Sequence, residues 1–594
     1  MTGASDPAAP RPCLGVGVTG HRLAGLEPDS LPSLRARIMA VLERLEATAS
    51  LESPQCLRLV TGLAQGADSI AAECALERGW RLDSVLPFPR DDYAEDHQPA
   101  EANARYLANL AASEAVYELG GVRDANGMSG AAYERAGRVV LEQCDILIAV
   151  WDGKPARGRG GSAQIIAEAV ADGIPVIHLD SHAEGAPKLL WSGLEEVDLG
   201  SQTVDSVARL ELDALPSVVT PLLSAPADAG ERSIVGRFEA VGERRLSLAV
   251  AYPVLLALFG VRRLRKSDFD GRLDLAGSSE QIASHCRDDG PFCGRMNGIL
   301  LPRFAESDAV ARRSSQLFRS AYVGNFGFAA LAVSLSLLGL VLPHSFKPLL
   351  VSIELVIIAL ILIQTRTGNR ANWHALWLDN RALAERLRCL SIASRLGILD
   401  LRAHAKETAE WVAWCVRATA REVGLPSAHV DEAYLGRVRE DLVELIDGQT
   451  DYMRTDASRM HRMDHRLHLL GTTLFGLTAL ACIFLLGIKA AGMVESNVEH
   501  LADRATLIVT ILTAALPAVG AAIYGIRMQS DFAGIAQRNQ ELGEDLAALR
   551  RLIVAEPLDF DILNLRTRRV TSLLTADLSD WLHTFHARPL ALPG

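Results

Sequence analysis

Apolar residues follow two different patterns along this chain, and the change falls near its middle. Up to residue 180, short apolar runs alternate with amphipathic stretches. Residues 13–19 (CLGVGVT), 57–61 (LRLVT), 80–86, 145–151 (DILIAVW) and 174–179 read as strands, with 34–48, 69–78 and 162–171 as helices. Strands that are apolar on both faces, alternating with helices, predict a Rossmann-like parallel α/β sheet. The second half instead holds long uncharged runs: 321–342, 469–488 and 505–526, with 348–365 broken only by Glu354. A helix needs about 20 apolar residues to cross a bilayer, so an all-α membrane region with four transmembrane helices in two hairpins is expected.

Orientation follows from the basic residues beside these runs. Thirteen arginines flank the two hairpins, Arg303, Arg319, Arg366, Arg381, Arg466 and Arg527 among them, whereas the inter-helix loops carry only Lys347, Lys489 and Arg504. A multi-pass protein of the inner (plasma) membrane with both termini in the cytoplasm is expected. Residues 1–14 have no charged start or apolar core of a signal peptide. Residues 246–261, short and interrupted by Pro253, read as an interfacial helix or a buried element rather than a fifth span. Amphipathic helices at 371–396 and 531–553 follow the two hairpins, and Glu354 is placed to snorkel. Ala514, Ala518 and Ala522 form a small-residue stripe suited to helix–helix contact, beside Pro517. The units expected are 1–180 (α/β), 181–320 (connector), 321–396 (first hairpin and following helix), 397–468 (cytoplasmic helical segment), 469–553 (second hairpin and following helix) and 554–594 (C-terminal tail).

Composition narrows the classes. The 594 residues carry 60 Lys+Arg against 72 Asp+Glu, a net charge of −12, and 49% are hydrophobic. A disordered chain is excluded, and no nucleic-acid partner is expected without a basic face. Nine scattered cysteines with no CxxC pair point to neither zinc nor a disulfide framework, and fit a reducing compartment.

Candidate chemistry gathers where strands end and helices begin. Gly20, Gly62, Gly66, Gly160 and Gly161 each lie between a strand and a helix start, where glycine lets a ligand approach and free N–H groups meet an anion. Three such loops on one sheet edge suit a phosphate-bearing ligand. Arg22, Lys154, Arg157 and Arg159 can pair with phosphates or simply face solvent. Asp152 and Glu168 can hold ribose hydroxyls or cap a helix. His21 is expected to donate to phosphate, with no partner carboxylate near it in sequence.

VTGHR at 18–22, TGLAQGADSIAAECAL at 61–76, LPFPRDDY at 86–93 and CDILIAVWDGKPARGRGGSAQIIAEA at 144–169 resemble the SLOG superfamily, the Rossmann-like fold of the DNA-processing A and lonely-guy proteins. The resemblance covers about 170 residues and implies loops that cradle a nucleotide-derived ligand. Gly20, His21 and Arg22 would form the first loop, Gly62, Gly66 and Asp68 the second, while Gly160, Gly161 and Ser162 would cradle a phosphate. The hydrolase branch places a catalytic Glu three residues past a Thr in the glycine loop. Here that position is Ile165, beside Gln164, so no catalytic residue is assigned. SLOG modules joined to paired membrane helices are similar in layout to bacterial conflict-system proteins with SLATT-type effectors. The layout implies a homo-oligomeric, membrane-anchored nucleotide sensor that controls a transmembrane effector in bacterial defence, with the bilayer and a nucleotide-derived molecule as partners and no cofactor. A membrane-tethered nucleotide or nucleoside-monophosphate hydrolase, or a transporter or scaffold with a regulatory nucleotide-binding domain, remain as alternatives.

Overall fold

A computed structural model describes residues 10–50, 56–123, 130–156, 158–182, 185–193, 202–224, 226, 249–279, 290–399, 401, 409–492, 496–586 and 590. The N-terminal half runs β1 (Leu14–Gly20), α1 (Leu31–Ala49), β2 (Leu57–Thr61), α2 (Ala67–Glu77), β3 (Arg81–Leu86), α3 (Ala100–Ala112), β4 (Ala115–Leu119), α4 (Gly130–Gln143), β5 (Ile146–Trp151), α5 (Ser162–Ala171) and β6 (Val176–Asp180). Then come β7 (Lys188–Leu190), β8 (Arg209–Glu211) and α6 (Leu215–Leu223). The helical half comprises α7 (Ala251–Leu258), α8 (Leu301–Leu338), α9 (Lys347–Arg370), α10 (Trp373–Ala393) and α11 (Glu410–Val423). A late strand, β9 (Ala428–Val430), precedes α12 (Glu432–Gly492), α13 (Ser496–Ser530), α14 (Phe532–Ala555) and α15 (Phe560–His586).

The strands form one sheet in the order β8-β7-β6-β5-β1-β2-β3-β4-β9. From β6 to β9 all neighbours are parallel, while β7 and β8 add antiparallel edges. Every residue of β2 and β5 is buried, so both faces of the central strands need cover. On one face α1, α2 and α6 supply Leu34, Ile38, Ala71 and Val219. On the other, Val60, Val85, Tyr117 and Leu119 pack with Val139 of α4 and with Leu442, Leu546 and Leu563 of α12, α14 and α15. The α/β half therefore rests directly on the helical half. The sheet does not stop at residue 180: β7 and β8 arise from the connector, and β9 from the segment expected to be wholly helical. These three strands have three residues each, too short for a periodic signal.

The four apolar runs lie in α8, α9, α12 and α13, each long and apolar enough to cross a membrane. Their outer faces are unusually bare: Leu355 is 67% exposed, Ile483 65% and Leu486 70%. Large contiguous apolar surface of this kind is not left to water. Helix α8 contacts α9, α10 and α13, and α12 contacts α13 and α14. Two glycines of α13 sit close to neighbouring helices. A methyl group on Gly525 would stand 2.4 Å from Phe326 of α8, and one on Gly520 would stand 3.1 Å from Phe475 of α12. Of the expected alanine stripe, Ala514 is exposed while Ala518 and Ala522 are half-buried. The run at 246–261 becomes the eight-residue α7, whose Tyr252 and Leu256 are buried against α8. Seven described cysteines are free thiols, but Cys293 is disulfide-bonded, a correction to the expectation of free thiols throughout.

Candidate ligand-binding site

The chain moves outward from β1 through β2, β3 and β4, then returns to the other side of β1 with β5. This reversal opens a crevice between the C-terminal ends of β1 and β5, the position where open α/β sheets bind ligands. His21 stands at the end of β1 and Asp152 at the end of β5. The His21 amide extends the pairing by donating to the Val150 carbonyl (3.0 Å).

The His21 ring reaches back across the crevice. Its Nε2 lies 3.1 Å from the Asp152 amide and 3.2 Å from the Asp152 carboxylate. A neutral ring can accept from the amide, and a protonated ring can donate to the carboxylate, so either form is held in place. This corrects the expectation that His21 lacks a carboxylate partner, because the partner lies 131 residues away. Asp152 also accepts from the Lys154 amide (3.1 Å) and pairs with the Lys154 ammonium (3.3 Å). Burial opposes its ionisation, but the Lys154 contacts and His21 outweigh that and hold the carboxyl at about 2. The Asp152 side chain is only 3% exposed and is turned to His21 and Lys154.

The glycines differ in what they do. Gly66 adopts φ +130°, and a methyl group there would lie 2.6 Å from the His21 carbonyl and 2.8 Å from the Leu23 amide. Only glycine lets the β2–α2 loop lie against the β1 loop, where Leu23 N–H donates to Gln65 (2.9 Å). Gly20 is equally hemmed in, for a methyl group there would stand 2.5 Å from the Ala67 methyl. Gly62 has more room, since a methyl group there would come no closer than 3.4 Å, to the Asp68 carboxylate. Gly160, at φ +76°, presses on the start of α4. Gly161 caps α5.

Asp68 lies buried under the second loop, where burial pushes its carboxyl up to about 7 against hydrogen bonds from Ala64, Gly62 and Thr61. Ser162 does not turn its proton to the crevice: its hydroxyl donates to the Gly20 carbonyl (2.8 Å), tying the third loop to β1. What that loop leaves for an anion is the backbone N–H groups at the start of α5.

The cations are partly committed. Arg22 sits over the Tyr133 ring (4.7 Å) and 3.6 Å from Asp96, with half its side chain exposed. Arg159 pairs with Glu134 of α4, and Arg157 lies outside the described residues. Glu168 is gripped by both nitrogens of the Arg138 fork (2.9 Å each) and by Gln164 (2.9 Å). Ile165 is 2% exposed and packs against Gly137, so it belongs to the core.

The sequence reading missed Asp96, Arg123, Tyr133 and Glu134. Asp96 accepts from Tyr133 (2.5 Å) and pairs with Arg123 (2.8 Å), which makes one polar wall around Arg22. The signal available was the burial spacing of Ala132, Ala136, Val139 and Val140, which marks α4 as amphipathic and carries Tyr133 and Glu134 with it. Among the described residues, no cluster of His, Cys, Asp and Glu is arranged to hold a metal. No protein-family model matches the chain, and no curated protein matches it.

Proposed function

We propose that the α/β half binds a nucleotide-derived, phosphate-bearing ligand in the β1–β5 crevice and that the bound state controls the long apolar helices as a membrane effector. The observation that carries this reading is the convergence at one topological switch point of His21, Arg22, Lys154, two glycine-bearing loops and the N-terminus of α5. Backbone N–H groups and Arg22 suit phosphate, while the held imidazole suits a second polar group of the ligand. The apolar helices are read as two hairpins, α8 with α9 and α12 with α13, in the inner membrane, with both termini cytoplasmic. A pore would come from homo-oligomers.

Control requires the ligand to favour one of two arrangements of the bundle. The contact of β2–β4 with α12, α14 and α15 is the physical route for such a shift. Occupancy could alternatively end in cleavage, as in the hydrolase branch. Ile165 and the committed Glu168 speak against it.

The test is calorimetric titration of full-length protein with cyclic and linear nucleotides, followed by chromatography of the mixture. Binding without product, reduced at least tenfold in His21→Ala and Arg22→Gln variants, is the expected result. A consumed nucleotide would replace the sensor reading with the hydrolase. Unchanged affinity in both variants would remove the crevice as the ligand site.

A further inference from the structure

At the foot of the apolar helices is a cavity of about 400 Å³, well separated in sequence and in fold from the β1–β5 crevice. Five arginines line it: Arg262 after α7, Arg312 and Arg319 of α8, Arg381 of α10 and Arg538 of α14. Only two carboxylates join them, Glu385 and Asp456, in a chain whose net charge is −12. Such a concentration of one sign against the overall balance requires a reason.

Four of the arginines have carboxylates near them. Arg262 pairs with Asp268, Arg312 with Asp308 (3.0 Å), Arg381 with Glu385 (2.6 Å) and Arg538 with Asp531 (3.3 Å). Arg319 is different, for among the described residues it enters no ion pair. Its guanidinium rests between aromatic rings, 5.2 Å from the centre of Tyr252 and 5.0 Å from that of Trp377, and donates to the Tyr252 hydroxyl (3.2 Å). Aromatic faces fix a guanidinium without neutralising it. Asp456, on the wall of the same cavity, attracts this cation without reaching ion-pair distance, which leaves direct contact with the guanidinium to an anion from outside the chain.

Position suggests what that anion is. Arg319 stands two residues before the uncharged run that begins at Ala321, while Arg381 and Arg538 follow the runs that end at Thr365 and Ile526. If the runs occupy hydrocarbon, the cavity lies at the depth of lipid phosphates. Guanidinium forks match phosphate oxygens, and the volume falls within the range of about 300–1,000 Å³ typical of small-ligand pockets.

We infer that this cavity is a second binding site, for a phosphate-class anion held by Arg319 with help from Arg381 and Arg538. Occupancy would clamp α8, α10 and α14 together at the foot of the bundle. The shared chemistry is phosphate, and its source is either an anionic lipid headgroup or a soluble phosphate compound. The site does not depend on the β1–β5 crevice binding anything.

The experiment uses the full-length protein in two arms. In neutral detergent, radiolabelled pyrophosphate is titrated at equilibrium. In nanodiscs of phosphatidylcholine and phosphatidylglycerol, native mass spectrometry counts the phosphatidylglycerol retained after release. The expected result is binding in at least one arm that falls roughly tenfold in Arg319→Gln, the loss of one charge-assisted contact. Arg538→Gln, on another helix and with a half-buried side chain, is expected to weaken the same binding and decides the matter should Arg319→Gln fail to fold. Pyrophosphate binding alone identifies a soluble source, and lipid retention alone a headgroup. Binding in neither arm, or wild-type binding by every folded variant, overturns the inference.

Discussion

The Asp145 carboxylate lies 2.9 Å from the Arg417 guanidinium although 272 residues separate them in sequence. Arg417 takes both carboxylate oxygens (3.0 and 2.9 Å), Arg421 adds a second guanidinium at 3.0 Å, and the Gly15 amide donates at 2.9 Å. Burial resists the charge, but the two arginines outweigh it and hold the Asp145 carboxyl well below the usual carboxylate range. The cluster pins α11 to the N-terminal ends of β1 and β5, at the opposite end of the sheet from His21.

Replacing Asp145 by Asn leaves two buried guanidinium groups without a counter-charge. Removing one partner of a buried pair costs about 3–5 kcal/mol, so a large fall in thermal stability is expected. Arg417→Met should cost less, because Arg421 still satisfies the carboxylate. Melting curves of the two variants in detergent check the order. Equal losses would show that Arg421 does not share the charge.

Gly62 and Gly66 belong to the same loop but should respond differently to alanine. Gly66→Ala forces an L residue into φ +130° and pushes a methyl against the His21 carbonyl. A cost of about 1–3 kcal/mol and loss of ligand binding are expected. Gly62→Ala meets only ordinary contacts and should leave stability and binding within twofold of wild type, as thermal melts and calorimetry would report.

Asp68 gives the fold a pH dependence of known sign. Its folded carboxyl, raised to about 7 by burial, binds a proton more tightly than the unfolded one, whose ordinary value is about 4. Stability from this group is present below pH about 4 and is lost as pH rises to about 7. Asp68→Asn should flatten that decline. Melting temperatures measured between mildly acidic and mildly alkaline pH, in wild type and variant, decide it. An unchanged slope would assign the dependence to other groups.

Orientation can be read by chemical labelling. With Cys482 replaced, Ser345→Cys in the α8–α9 loop should react with a membrane-impermeant maleimide on intact cells. Ser217→Cys in α6 should react only after lysis. The reverse pattern would invert the topology.

Strong local signals were legible and weak ones were not. Strands β1 and β5 are nearly continuous apolar runs, β2, β3 and β6 keep enough apolar residues around Arg58, Asp83 and His178 to read as strands, and α5 begins and ends at Ser162 and Ala171 as its periodicity indicates. Strand β4 (AVYEL) is short and carries Glu118, paired to Arg90, and no strand was expected between residues 86 and 145. Strands β7 to β9 are fixed by their neighbours, not by their own composition. At the site, the glycine loops were visible because backbone geometry restricts the residue type. The His21–Asp152 contact was not, since nothing local to either residue reports a partner across the switch point.

Strand β9 also sets a schedule. Until residue 430 has left the ribosome, the outer edge of β4 has no neighbour, and α11 cannot deliver Arg417 and Arg421 to Asp145. By then α8 and α9 have already been synthesised. An open β4 edge is a template for wrong pairing, so a nascent chain that stalls between α9 and β9 carries an unfinished sheet and an unneutralised carboxylate. The N-terminal half comes first in synthesis and is among the last parts to be completed.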